Sequence, residues 1–245
     1  MKYGLQMYSI RDVAEKDLEA AVRTAAALGY SFLEYAGFFG HPAEEVASWQ
    51  RKYNVFCSGT HSSWTDLYPD RIEKTVAYHK IIGNRNYIIP GADLSTPEKI
   101  DEFCRVLCEA QPYLASEGIS LGYHNHSREF ALRDDGRCVW DDLRERTPVD
   151  FEIDTFWAFN AGRDPVAMME EMKDRVHVIH LKDGFIGGRG TALGEGEAPV
   201  RQVREKAIEL GMTMVVESES LTPDGPGEVA RCISFLHRLD KEGTN

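Results

Sequence analysis

At 245 residues and 42% apolar content, the chain is long enough to bury one large α/β core. A formal charge of −12 argues against a nucleic-acid partner, because phosphate backbones are gripped by basic surfaces. No stretch approaches the roughly 18 apolar residues of a membrane span, and Met1–Ser9 lacks the apolar core of a secretion signal, so a cytoplasmic protein with no membrane contact is expected.

In chain order, the first strand is predicted near 4–9 and exits through Gln6, Tyr8 and Arg11. A helix near 15–28 follows, closed by Gly29 in the position where a left-handed cap is wanted. The second strand, near 32–36, carries Glu34; after a helix near 42–52 comes the third, near 54–60, which leads into His61 and Trp64. A helix near 69–82 and a strand near 86–90 precede Ser95-Thr96-Pro97, a cap with proline in the first turn, opening a helix near 96–116. The fifth strand, near 119–124, runs into His124-Asn125-His126-Ser127-Arg128-Glu129, and a helix near 137–146 follows. The sixth strand, near 149–154, ends at Asp154 with Trp157 beyond it, and Asp164-Pro165 caps a helix near 163–173. The seventh, near 176–181, holds His180 and is followed by Lys182 and a glycine-rich loop from Gly184 to Pro199; the eighth, near 213–217, ends at Glu217 between helices near 197–210 and 225–239.

These are eight β-then-α units without a strand–strand hairpin, which implies right-handed crossovers and a parallel sheet. An open doubly wound sheet would call for a glycine-rich phosphate loop after the first strand, where this chain has Ser9-Ile10-Arg11-Asp12. A single (β/α)8 TIM barrel over residues 1–245 is therefore expected, with chemistry on the rim formed by the C-terminal strand ends. The odd number of scattered cysteines (Cys57, Cys104, Cys108, Cys138, Cys232) reads as reduced thiols, with Cys104 and Cys108 one helical turn apart in packing roles.

Strand alternation puts Glu152 and Asp154 on one face, Val178, His180 and Lys182 on another, and Thr213, Val215 and Glu217 on a third. The apolar Phe151 and Ile153 belong against the helices, which sends the acids inward, where they cost desolvation energy unless a cation compensates. Asp154 and His180 stand 26 residues apart, one α/β repeat. Glu129, Asp154, His180 and Glu217 are thus the expected ligands of one divalent metal ion. The alternative is a metal-free buried ion-pair network with Lys182 and Arg163. His124 and His126 share a face at the rim, and one of them is expected to carry or orient a proton. Gln6, Tyr8, Glu34 and His61, with Trp64 and Trp157 as stacking surfaces, form the expected pocket for a polyhydroxylated ligand. The loop glycines Gly187, Gly188, Gly190, Gly194 and Gly196 read either as a phosphate grip or as a mobile flap.

The runs Gly4–Arg11 and Tyr123–Phe130, Asp154 with Trp157, His180-Leu181-Lys182-Asp183, Leu193–Glu197 and Glu217 resemble, in order and over nearly the whole chain, the sugar phosphate isomerase/epimerase family with a xylose-isomerase-like barrel. The resemblance implies a metal-dependent isomerase or epimerase of a keto sugar, with Mn²⁺ foremost and Mg²⁺, Co²⁺ or Zn²⁺ as alternatives. Catalysis would fall to His126, His124, Glu217 and Lys182 through proton transfer beside a polarised carbonyl. It also implies two further readings: a lyase that releases an aglycone or water from a 3-keto-glycoside or inosose, and a non-catalytic sugar-binding barrel. The expected partner is a small sugar, with a homo-oligomer or partner subunit possible.

Overall fold

A computed structural model describes residues 1–242. Eight parallel strands close on themselves: β1 (Gly4–Gln6), β2 (Phe32–Tyr35), β3 (Phe56–His61), β4 (Asn86–Ile89), β5 (Ser120–His124), β6 (Asp150–Asp154), β7 (Val176–Leu181) and β8 (Thr213–Val216). The ring is completed by β1, which pairs with β2 on one side and β8 on the other. The expected barrel is therefore present, with helices between the strands.

The helix boundaries follow local chemistry. Gly29, Gly118 and Gly211 take positive φ values of 98°, 76° and 69° just beyond helix ends, where a residue without Cβ reaches the left-handed region at least cost. Thr96 caps the helix Pro97–Ser116 through Lys99 N, and Asp164 caps Pro165–Glu171 through Val166 N and Ala167 N.

Two expectations need correction. The first strand stops at Gln6, and Met7–Ile10 turns into a 3-10 helix because the Gln6 side chain accepts the Tyr8 N–H. The loop after β7 contains a short antiparallel ribbon, Asp183–Gly184 with Gly190–Thr191, where no strand–strand pairing was expected. Both are local hydrogen-bond choices that hydrophobic periodicity does not encode.

Apolar residues fill the layer between strands and helices: Leu5, Leu33, Ile89, Leu121, Ile153, Ile179 and Val216 are all buried there. The upper barrel interior is polar instead, and Gln6, Glu34, His124, Glu152, Asp154, His180 and Lys182 are each at most 1% exposed. Room for this layer comes partly from Gly59, where a Cβ would stand 3.0 Å from Glu34 Oε2 and 3.1 Å from Ile88 Cδ1. All five cysteines are free; Cys104 is buried as expected, whereas Cys108 is exposed on its helix.

Candidate metal centre and adjoining cavity

The polar layer is built strand by strand. Asp154 ends β6, where the Asn125 side chain pairs with both its backbone N–H (3.1 Å) and its carbonyl (3.2 Å). One carboxylate oxygen, Oδ1, accepts the Trp157 N–H at 2.8 Å and so caps the helix Thr155–Asn160. The other, Oδ2, is buried without a hydrogen-bond partner. His180 Nδ1 is likewise unpartnered, 3.4 Å from Glu217 Oε2 and 3.9 Å from Asp154 Oδ2. His124 completes the set, its Nε2 lying 3.9 Å from Asp154 Oδ2. The donor atoms of His124, Asp154, His180 and Glu217 all fall within 4.8 Å of one another, a mixed nitrogen and carboxylate set suited to a divalent ion.

A second tier lies beneath. His180 Nε2 is 2.8 Å from Glu34 Oε1, and His124 Nδ1 is 3.2 Å from Glu152 Oε2. Each histidine therefore has one ring nitrogen on a carboxylate and the other facing the inner donors. This is the arrangement that fixes tautomer and ring orientation around metals. His61 Nε2 bridges Glu152 Oε2 (2.8 Å) and Glu34 Oε1 (3.1 Å), and Gln6 Nε2 donates to Glu34 Oε1 at 2.5 Å. His61, His124, Glu152 and His180 also group within 4.8 Å, but each ring there already meets a carboxylate; Glu34 Oε2 and Glu152 Oε1 are the atoms of that tier left without a hydrogen-bond partner.

The electrostatics of the layer favour positive charge at its centre. Burial, with the Glu34 carboxylate beside it, pushes Glu152 well above the usual carboxylate range. Burial opposes the charge on Glu34, yet His180 and His61 outweigh it and pull the group down to about 2. Burial raises Asp154 to about 7, against the pull of Lys182. Burial also works against protonation of His180, but the carboxylates of Glu152, Glu34 and Glu217 prevail and hold it well above the ordinary histidine range. One proton on His180 thus stands in for positive charge that the acids demand. Lys182 is fully buried, its ammonium 2.9 Å from Glu217 Oε2, 2.5 Å from Glu219 Oε2 and 4.6 Å from the Trp157 ring centre.

Glu129 does not join the group. It sits in the 3-10 turn Ser127–Phe130, where its carboxylate accepts from Tyr123 Oη (2.9 Å), His126 N (2.8 Å) and Arg128 Nε (3.0 Å). His124 instead clusters with Asp154, His180 and Glu217. Glu34 and His61, expected to meet ligand, lie in the second tier; His61 also reaches the cavity wall. Glu152 and Glu219 received no role from the sequence, although Glu152 shares parity with Asp154 and Glu219 follows Glu217 by two residues.

Above the donors opens a cavity of about 600 Å³ lined by Tyr8, His61, Trp64, His124, His126, Glu217 and Glu219. His126 Nδ1 is buried there without a hydrogen-bond partner, and burial lowers the pKa of the ring. A second cavity of about 670 Å³ shares Pro90 and Gly91 with the first and is lined by Leu94, Arg128 and Val139.

The glycine-rich loop is neither a free phosphate grip nor a loose flap. The Asp183 carboxylate accepts the N–H groups of Gly184, Gly194, Gly196 and Ala198 at 2.8 to 3.1 Å, so these donors are already taken. A Cβ at Gly196 would overlap Asp183 Oδ1. Asp183→Ala is expected to release the loop and cost about 1–3 kcal/mol for donors left unpaired. Tryptic cleavage at Arg189 should accelerate at least about ten-fold, the equivalent of about 1.4 kcal/mol; an unchanged rate would mean that other contacts hold the loop.

No curated protein matches the chain by sequence. The sequence model of the xylose isomerase-like TIM barrel family matches residues 22–239. Among solved structures, a sugar phosphate isomerase/epimerase from Parabacteroides distasonis is 24% identical with a TM-score of 0.80, over 96% of this chain and 97% of that one. A D-allulose 3-epimerase from Methylomonas sp. is 13% identical with a TM-score of 0.73, over 97% of each chain. A probable 3-DHS dehydratase from Bacillus anthracis is 11% identical with a TM-score of 0.74, over 97% of this chain and 99% of that one. At such identities the neighbours establish the fold, and the family match extends over most of the sequence. The chain belongs to the xylose isomerase-like TIM barrel family.

Proposed function

We propose that the protein, acting as one barrel domain, is a divalent-metal-dependent isomerase or epimerase of a keto sugar, with Mn²⁺ as the working ion. The observation that carries this reading is the pair of buried donors without hydrogen-bond partners, Asp154 Oδ2 and His180 Nδ1, 3.9 Å apart beneath a cavity of sugar-accommodating size. His124, Asp154, His180 and Glu217 would hold the ion. When bound there, a divalent ion supplies Lewis acidity toward a carbonyl and its neighbouring hydroxyl.

The chain's own residues do the rest. His126 is kept neutral by burial, so its free Nδ1 can accept a proton from a carbon beside the carbonyl. Lys182 stays charged among Glu217, Glu219 and Asp154, whose Oδ2 lies 3.6 Å from the ammonium without a hydrogen bond, so the N–H beyond its two bonds can steady a developing oxyanion. Trp64 and Tyr8 give the sugar two flanking surfaces, and the buried Gln6 and Glu34 keep His180 in register.

One observation favours elimination as a second reading. The cavity beside Arg128, Leu94 and Val139 continues the first across Pro90 and Gly91, and it would accept a second moiety on the substrate. Proton loss followed by departure of that group would make the protein a lyase. The two readings separate in one experiment. The Mn²⁺-loaded protein is incubated in deuterated water with keto sugars and with keto-glycosides, and products are followed by NMR. Deuterium entering a rearranged sugar supports the first; a released aglycone supports the second. Binding without exchange or release would leave a non-catalytic sugar-binding barrel.

A further inference from the structure

The opposite end of the barrel holds a cavity of about 670 Å³, framed by the starts of β2, β3 and β4 and by the C-terminal ends of the helices Ala43–Tyr53 and Ile72–Ile81. That volume lies within the span of small-molecule sites, ~300–1,000 Å³. We propose that it binds a small organic anion with an apolar body and one carboxylate, sulfonate or phosphate group.

Three observations converge. First, Arg51 and Arg85 both line the cavity, and neither guanidinium has a hydrogen-bond, ion-pair or ring partner among the described residues. In a chain with a net charge of −12, most cations are consumed by neighbouring acids, and two free ones on a single cavity are a local exception. Second, Ser58 is 8% exposed and its Oγ has no hydrogen-bond partner, although it lines the same cavity. It is the extra residue where the β2–β3 register slips, Leu33 facing Cys57 and Glu34 facing Gly59. Such bulges re-aim a side chain at a site. The bulge carbonyl is satisfied by Asn86 Nδ2 at 2.6 Å, which leaves the hydroxyl as the group in want of a partner. Third, Phe56 and Ile81 stay 57% and 45% exposed at this wall, so an incoming ligand would cover apolar surface.

The helix C-termini oppose an anion, since each contributes roughly half a negative charge. Their last carbonyls are already met by the N–H groups of Asn54, Val55, Ile82 and Gly83. Two full guanidinium charges outweigh the two half charges that remain. The arginine forks would take the anionic group and the Ser58 hydroxyl would donate to it.

Anilinonaphthalene sulfonate, an apolar ring system with one anionic group, is the test probe, followed by fluorescence titration on the full chain. One probe should bind per chain and be displaced by phenyl phosphate. Arg51→Gln and Arg85→Gln should each weaken binding about ten-fold, as loss of a charged hydrogen-bonding partner does, and Ser58→Ala should weaken it less. Because both arginines are exposed, these variants should melt at the parent temperature. His126→Asn, at the far rim, should leave the affinity unchanged. Equal affinity in both arginine variants, or loss of binding in the rim variant instead, overturns the proposal. So does a dimer in sedimentation that the arginine substitutions disrupt, because a second copy would then be the occupant.

Discussion

Asp154→Ala and His180→Ala are each expected to abolish binding of a divalent ion, whereas Glu129→Ala is expected to keep it. Both first positions present a buried atom without a hydrogen-bond partner, Asp154 Oδ2 with the Lys182 ammonium 3.6 Å away and His180 Nδ1 with Glu217 Oε2 3.4 Å away, and removing either leaves three donors around a charge that burial penalises. Glu129 spends its carboxylate on Tyr123 Oη of β5 and on His126 N and Arg128 Nε, away from the inner donors, so its loss frees those groups and costs about 1–3 kcal/mol of stability. Glu34→Gln and Glu152→Gln act one step away, through the histidine rings, and should lower affinity ten- to a hundred-fold, as changes in supporting groups around metals typically do. Affinity should also fall with pH. His180 must shed its proton to bind through Nδ1, and Asp154, raised to about 7, gains one as the solution becomes acidic, so binding weakens below neutrality and releases protons. Elemental analysis, titration calorimetry with Mn²⁺ and thermal melts measure all of these. Full metal occupancy in both Asp154→Ala and His180→Ala would sink the assignment.

The barrel and three of the four inner donors were legible in the sequence because strand parity is a strict rule. Once Phe151 and Ile153 are set against the helices, Asp154 must point inward, and the same counting places His180 and Glu217. Glu129 falls outside this cluster because parity ends with the strand. Glu129 lies in a 3-10 turn, outside any alternation, and its side chain is drawn back to its own backbone. His124 was in phase throughout, and a nitrogen donor replaces a carboxylate there without any change in the pattern of apolar residues. The second tier was illegible for another reason. Glu152 of β6 is far in the chain from Glu34 and His61 of β2 and β3, and only closure of the barrel shows that they meet. The role of Asp183 in pinning the glycine loop was hidden likewise, since the N–H groups it gathers carry no side-chain signal.

His126→Asn is expected to lower turnover by about two to four decades, the usual contribution of a positioned proton carrier, while the protein keeps its full complement of metal. The geometry separates this residue from its neighbour. His124 is committed on both ring nitrogens, to Glu152 and to the inner donor set, so replacing it should cost the metal itself. His126 stands one step nearer solvent, with a free Nδ1 on the cavity wall and its ring centre 5.0 Å from that of His124 and 5.9 Å from that of Trp157. Burial lowers its pKa, which favours the neutral form that can accept a proton. With metal held at saturation, the acid limb of kcat/KM should therefore lie below the ordinary histidine value of about 6.5, with activity lost as falling pH protonates the ring. Solvent deuterium uptake into substrate should slow in parallel with turnover in His126→Asn. Uptake at the parent rate in that variant would remove His126 as the base. The role would then pass to Glu217, whose carboxylate lies between Lys182 and His180 at the floor of the same cavity.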